Sequence, residues 1–374
     1  MTRVDVGLTV PAGTDPSVFR AAVRLGRLIG LDSLFLFDHL QDFAPRSVWR
    51  SRGFTWMTKR QPSPHQQGDP FVIQASLAKL AGNVRLGVGV TELLRNHPVT
   101  IARAGATLGA LTKRPPVIGI GAGERMNTEP YGIEFTRQVS KTAEALEILR
   151  RCFSDPGPIT FEGDYYNLNQ APFDLTANGV VPELWVAAQG PRMIRLAARH
   201  GDGWLPAFGP SPDRYEEAYR QLLDAVKDTG REPTAITASL QAEALMVPSQ
   251  KEAEELMRTS RFVRFNAVAA WPAATWASVG ATHPFGPEYR GFIDLIPEHL
   301  DPAALETAIR DVPQEVLHAG LLWGTADNIA ASIRELQTAG LAHITLIPTS
   351  YPISSRLANY MWWALRQIIR GLRS

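Results

Sequence analysis

The sequence predicts a (β/α)8 barrel whose insertions gather at the C-terminal ends of its strands. Three observations predict it. The 374 residues exceed the roughly 250 of a plain barrel by enough to hold several insertions. Short β-branched or apolar runs alternate with amphipathic stretches along almost the whole chain, the pattern of an all-parallel sheet covered by helices. Polar or glycine-rich segments follow directly on the ends of the apolar runs, where a barrel carries its chemistry. One domain over 1–374 is expected.

The elements follow in order. Val4–Val10 reads as a strand and Phe19–Ile29 as a helix, then Ser33–Phe37 and, after an interruption, Phe71–Ala81 repeat the unit. Val84–Val90 with Thr100–Leu111, and Pro116–Ile120 with Arg137–Cys152, continue it. Glu183–Ala187 precedes Pro191–His200, Gly203–Leu205 precedes Pro212–Thr229, and a strand lies near Ser239–Val247. Gly320–Trp323, Ala326–Ala339, His343–Pro348 and Arg356–Leu372 close the chain. Eight units fit better than six, and closure leaves no exposed sheet edge.

Three stretches interrupt the alternation. Residues 44–70 follow the second strand and are rich in Arg, Pro, Gln and Trp, so they overhang the active face of a barrel. Residues 159–168, with Glu162-Gly163-Asp164 between apolar alternations, read as a hairpin. Residues 262–313 hold Trp271, Trp276, His283, Phe285, Tyr289 and Phe292 among many Ala and Pro, a composition that suits both a substrate lid and a packed helical insert.

A net charge of +1 supplies no field for nucleic acid, so the expected partner is a small molecule. Cys152 is the only cysteine; no internal disulfide is possible, and its place at a helix end suits buried packing. The eight His show no metal-ligand spacing. The N-terminus runs straight into a strand, and no apolar run reaches membrane length. A cytoplasmic enzyme with neither a metal nor a membrane span is the expectation.

The most informative stretch is Gly119–Gly132, where an apolar strand opens into a glycine-rich turn carrying Glu124. Backbone without side chains can press against a flat ligand. The spacing is not that of a dinucleotide fingerprint, because the sixth position counted from Gly119 or Gly121 is Glu124 or Met126. Asp38-His39 ends the second strand, Val88–Thr91 the third, Gly121–Asn127 follows the fourth and Ala187–Pro191 the fifth. In a barrel all four meet on one face.

Together with Glu129–Gly132, Trp185–Met193, His283–Gly286 and Ile296-Pro297, these segments resemble the bacterial luciferase-like superfamily, and within it the coenzyme F420-dependent oxidoreductases, a mycobacterial ketoreductase among them. The resemblance covers nearly the whole chain. It implies F420 as cofactor and a homodimer. Asp38 and His39 match the pair that meets the deazaflavin and the reacting substrate, and a non-prolyl cis peptide in a bulge falls near Gly89-Val90 with Thr91 beside it. Gly121, Ala122, Gly123 and Asn127 match the cofactor lining, and Glu124 the acidic catalytic position. Ala187, Ala188, Gln189 and Gly190 match the loop that receives the cofactor tail, with Arg192 to neutralise it. The sugar-phosphate enzymes of the group carry a lysine where this chain has Phe208–Ser211, which argues against glucose 6-phosphate. Where they place a tryptophan four residues after the active-site histidine, this chain has Phe43, which keeps the ring wall and loses the indole N–H.

The implied chemistry is hydride transfer between the deazaflavin and a carbonyl or activated double bond of a hydrophobic substrate, most simply reduction of a ketone. His39, with an ordinary pKa near working pH, is the favoured proton donor, and Glu124 is the second candidate. Asp38 orients His39 or holds the cofactor; Phe43 and His283 are assigned to substrate. Each residue has a plainer reading: a core histidine, a surface Glu paired with Arg125 or Arg137, a turn-capping Asp. Two rivals stand beside the ketoreductase, an FMN-dependent monooxygenase of the same superfamily and a non-catalytic barrel that keeps the pocket.

Overall fold

The computed structural model describes residues 3–13, 15–154, 157–175 and 179–373. Eight parallel strands form the ring: β1 (Asp5–Val10), β2 (Ser33–Leu36), β3 (Arg85–Glu92), β4 (Val117–Gly121), β5 (Glu183–Val186), β6 (Gly203–Trp204), β7 (Thr237–Met246) and β8 (His343–Pro348). Neighbours in sequence are neighbours in space, β8 pairs with both β7 and β1, and the β6–β7 pairing closes the circle. The segment near Gly320–Trp323 is not a ring member. Leu322–Gly324 pairs alongside the far end of β7, because that ten-residue strand outruns its ring partners.

Helices begin where a short polar residue stands before proline. Asp15 accepts from Ser17 N at 2.9 Å, Asp69 from Phe71 N at 2.8 Å and Asp301 from Ala304 N at 2.7 Å, each followed by Pro at the first helical position. Proline has no N–H to lose there, and the carboxylate satisfies one of the donors the helix leaves open.

The ring interior is packed, not hollow. Phe35 meets Trp185 edge-on at 5.8 Å, Trp185 meets His343 at 4.9 Å, and His343 Nε2 lies 2.9 Å from Ser33 Oγ. Room for the indole comes from Gly203, where a Cβ would stand 2.5 Å from the Trp185 ring. Above this layer Gln241 donates to Thr9 Oγ1 at 3.2 Å and to the Gly89 carbonyl at 3.3 Å, tying opposite walls together below the mouth.

The first and third interruptions build one accessory body over that mouth. Helices Gln250–Thr259, Arg261–Ala269, Ala273–Ala277, Pro302–Arg310 and Gln314–Gly320 bury Phe262, Phe265, Trp276 and Leu305 together with Val48, Trp49 and Phe54 from residues 44–70. The insertion therefore starts before residue 262. Its first helix is charged and amphipathic, capped by Ser249, whose Oγ accepts from Glu252 N at 3.2 Å. Of the two readings of this stretch, the packed helical insert is the one observed. Ile159–Glu162 and Asn167–Ala171 pair antiparallel as a hairpin.

Candidate active site

Four strand ends meet at the mouth. After β2 the chain turns through Asp38, His39 and Leu40; after β4 it passes Ala122, Gly123 and Glu124 into a short 3-10 turn, Arg125–Asn127. The two loops are stitched by Asn127, whose Oδ1 accepts from Leu40 N at 2.9 Å and whose Nδ2 donates to Glu124 Oε2 at 3.0 Å. Asn127 is buried and both ends of its amide are engaged. The structure gives it a bridging task in place of the open cofactor contact expected for it.

His39 Nε2 lies 3.4 Å from Glu124 Oε2, with side chains 14% and 23% exposed. Phe37 stacks on the imidazole at 5.2 Å. Burial pushes the Glu124 carboxyl up to about 8, reinforced by the nearby Glu92 and opposed by Arg95. Burial pulls His39 down to about 3, and the Arg95 charge adds to it. At neutral pH the pair is therefore a carboxylic acid beside a neutral imidazole. This reverses the reason for favouring His39 as proton donor: its pKa does not stay near working pH, because the site withdraws water from it and sets a cation nearby. The plainer reading of Glu124, a surface charge paired with Arg125 or Arg137, also fails; Arg125 pairs instead with Glu129 at 3.3 Å.

Asp38 is 9% exposed, and the described bonds of its side chain go to Thr91 and Arg95. Its Oδ2 accepts from Thr91 Oγ1 at 2.6 Å and meets Arg95 Nη2 at 2.9 Å, and the same Nη2 donates to the Asp38 carbonyl at 2.7 Å. Arg95 Nε reaches Glu92 Oε1 at 2.6 Å. Arg95 was not anticipated from the sequence. Thr91 is thus committed to Asp38 and lies inside the wall.

The third strand breaks register between Val88 and Thr91, and the Gly89-Val90 peptide is cis, at the expected position. Val90 projects toward β4, which answers with glycine: a Cβ on Gly119 would stand 2.5 Å from the Val88 carbonyl oxygen and one on Gly121 2.9 Å from Val90 Cγ2. Gly123 takes φ 98°, a left-handed conformation, and a Cβ there would reach Leu94 at 2.8 Å. These glycines make room for the bulge and turn, the plainer of the two readings. Ala122 and Val90 remain partly exposed at the mouth.

Beyond β5, Ala188 is buried and its carbonyl accepts from Trp204 Nε1 at 2.7 Å, while Ala187 is half-buried. Gln189 is exposed and donates to the Ala207 carbonyl at 2.7 Å. Gly190 caps helix Pro191–His200 without a side-chain partner and with open space around it. A glycine-capped helix start with no side chain over it can admit a phosphate. Arg192, exposed on the first turn, bonds Ser140 Oγ at 3.0 Å. Phe43 stacks on Phe265 at 5.7 Å and meets Phe292 edge-on at 5.6 Å, which makes it a wall shared by the mouth and the insert. His283 is a correction. At 2% exposure it packs between Trp276, Phe285 and Tyr289, and its Nδ1 accepts from Phe285 N at 3.0 Å, so the insert uses it as core in place of offering it to substrate.

The match that decides the family is to the model described as luciferase-like monooxygenase, over residues 2–343. The chain belongs to that luciferase-like family. It is 34% identical over 359 residues to the phthiodiolone/phenolphthiodiolone dimycocerosates ketoreductase of Mycobacterium tuberculosis (strain ATCC 25618 / H37Rv), covering 95% of this chain and 93% of that one. It is 34% identical over 203 residues to the F420-dependent glucose-6-phosphate dehydrogenase of Kineococcus radiotolerans, covering 53% and 54%. Among solved structures, an F420-dependent secondary alcohol dehydrogenase in complex with an F420-acetone adduct superposes with a TM-score of 0.76 at 18% identity over 100% of both chains. No helix among the described residues is long and apolar enough to cross a membrane.

Proposed function

We infer that this luciferase-like oxidoreductase uses coenzyme F420 to reduce the carbonyl of a hydrophobic substrate. The observation that carries the reading is the neutral acid Glu124 held 3.4 Å from the neutral imidazole of His39 at the barrel mouth. A ketone accepting a hydride needs a proton on its developing alkoxide, and a carboxyl kept protonated at neutral pH is suited to give it.

The residues present fit the cofactor. Val90, beside glycines on the facing strand, offers a bulged wall to a flat ring, and the Gly190 helix start can receive the anionic tail. When bound, reduced F420 supplies the hydride. Ala122, Gly123 and the Ala187–Gly190 loop would line its place, and Arg192, on the first turn of the helix that Gly190 caps, would supply a cation for the anionic tail. His39, stacked on Phe37, holds the carbonyl oxygen by a neutral N–H, Glu124 protonates it, and Asn127 keeps the acid aimed. Phe43 walls off water. The absence of Lys from Phe208–Ser211 argues against a sugar phosphate.

The test is a fluorescence titration of the protein with oxidised F420 and, separately, FMN, followed by a ketone panel with reduced F420. Micromolar or tighter F420 binding, weaker FMN binding and ketone-dependent reoxidation of the deazaflavin are expected. Preference for FMN with ketone- or alkane-dependent oxygen uptake overturns the reading.

A further inference from the structure

Glu243 has no part in the proton transfer above, yet it stands at the same mouth. It lies two residues beyond Gln241 on β7, and alternate residues of a strand share a face. Gln241 points into the barrel, where it donates to the carbonyl of Gly89 in the bulge. Glu243 therefore sits on the same inner face, about 7 Å nearer the mouth at the strand rise per residue. The accessory insert reaches down to it: Trp271 Nε1 donates to Oε1 at 2.8 Å, and Asn266 Nδ2 to Oε2 at 3.0 Å. Thr349, just past β8, donates to Oε2 at 3.3 Å.

All three partners are neutral donors, and no cation meets this carboxyl among the described ion pairs. Oε1 accepts one of the two hydrogen bonds it can take, and the residue stays partly exposed although its neighbours Ala242 and Ala244 are buried. A packing anchor would be sealed by its own donors. This one is held by two donors of the insert and one beside β8, meets no cation among the described ion pairs, and belongs to a residue that keeps partial exposure.

We propose that Glu243 is a substrate-recognition residue whose free acceptor takes the hydroxyl of a hydroxyketone, so that the enzyme selects a ketone bearing a second oxygen over a plain hydrocarbon ketone. This rests on the ketone-reducing assignment above and names its substrate class. Burial pushes the Glu243 carboxyl up while the bonds from Trp271, Asn266 and Thr349 pull it down; a ligand lacking the hydroxyl leaves the open acceptor position on Oε1 unfilled.

The experiment compares two ligands on the protein loaded with oxidised F420: a medium-chain ketone, and the same ketone carrying a hydroxyl two carbons from the carbonyl. Binding is read from tryptophan fluorescence, to which Trp271 contributes beside Glu243. The parent binds the hydroxyketone about tenfold or more tightly than the plain ketone, and Glu243→Gln brings the two affinities within about threefold by weakening the hydroxyketone alone. Equal affinities in the parent overturn the proposal without any variant, and so does a preference that survives Glu243→Gln. Failure of the underlying assignment has a different signature: reduced F420 is not reoxidised by either ketone although the binding preference is present.

Discussion

Replacing Glu124 by Gln tests the proton donor most directly. Glutamine keeps the size of the side chain and an oxygen that can still accept from Asn127 Nδ2, so the stitch between the β2 and β4 loops survives. What it removes is the acidic proton. With the carboxyl raised to about 8, about 90% of molecules carry that proton at pH 7, against about 0.3% for a Glu at the ordinary 4.5, a gain of roughly 300-fold in competent enzyme. Ketone-dependent oxidation of reduced F420, followed as kcat against pH, is expected to be level below about pH 8 and to fall tenfold per unit above it. Glu124→Gln lowers kcat by about 10² or more, the scale of a lost general acid, and abolishes the alkaline limb. Cofactor affinity stays within about threefold, since the substituted atom is not part of the tail loop. A variant that keeps the parent kcat, or loses rate while keeping the limb, refutes the role of Glu124.

Arg95→Met removes the cation that lowers Glu124, so the alkaline limb moves upward, to be read from the same pH profile; a limb that stays or moves down contradicts the field assigned to Arg95. His39, depressed in the fold to about 3 against an ordinary 6.5, contributes stability that is complete above pH 6.5 and lost as pH falls through that window. Denaturant midpoints between pH 7 and 4 should accordingly fall less for His39→Asn than for the parent, and parallel curves would show that His39 is not the titrating group. Trp185→Ala empties the ring interior between Phe35 and His343 and costs about 3–5 kcal/mol in chemical denaturation; a loss under about 1 kcal/mol would mean that the barrel core collapses around the gap.

The alternation of apolar runs is written in consecutive residues, because strand and helix periodicities are local, and it predicted the barrel and its eight ring strands, although Gly320–Trp323, read as part of the same alternation, lies outside the ring. The polar residues at strand ends were legible for the same reason: the barrel topology converts a position next to a strand end into a position at the mouth. The resemblance placed the bulge at Gly89-Val90 correctly. The tertiary structure decided which of the gathered groups carries charge. Nothing in the order of residues reveals that Arg95 grips Asp38 from the next strand end, that Glu92 crowds Glu124, or that burial, aided by Glu92 at Glu124 and by Arg95 at His39, inverts the ordinary ranking of His and Glu pKa values. Likewise His283 looked like a pocket residue until Trp276, Phe285 and Tyr289 closed around it, and Glu243 looked like one charge in a strand until Asn266 and Trp271, more than twenty positions further along the chain, reached it from the insert. Hydrophobic periodicity is a sum over neighbours in the chain, whereas a pKa or an open hydrogen-bond acceptor depends on neighbours in space, and those exist only once the barrel has closed.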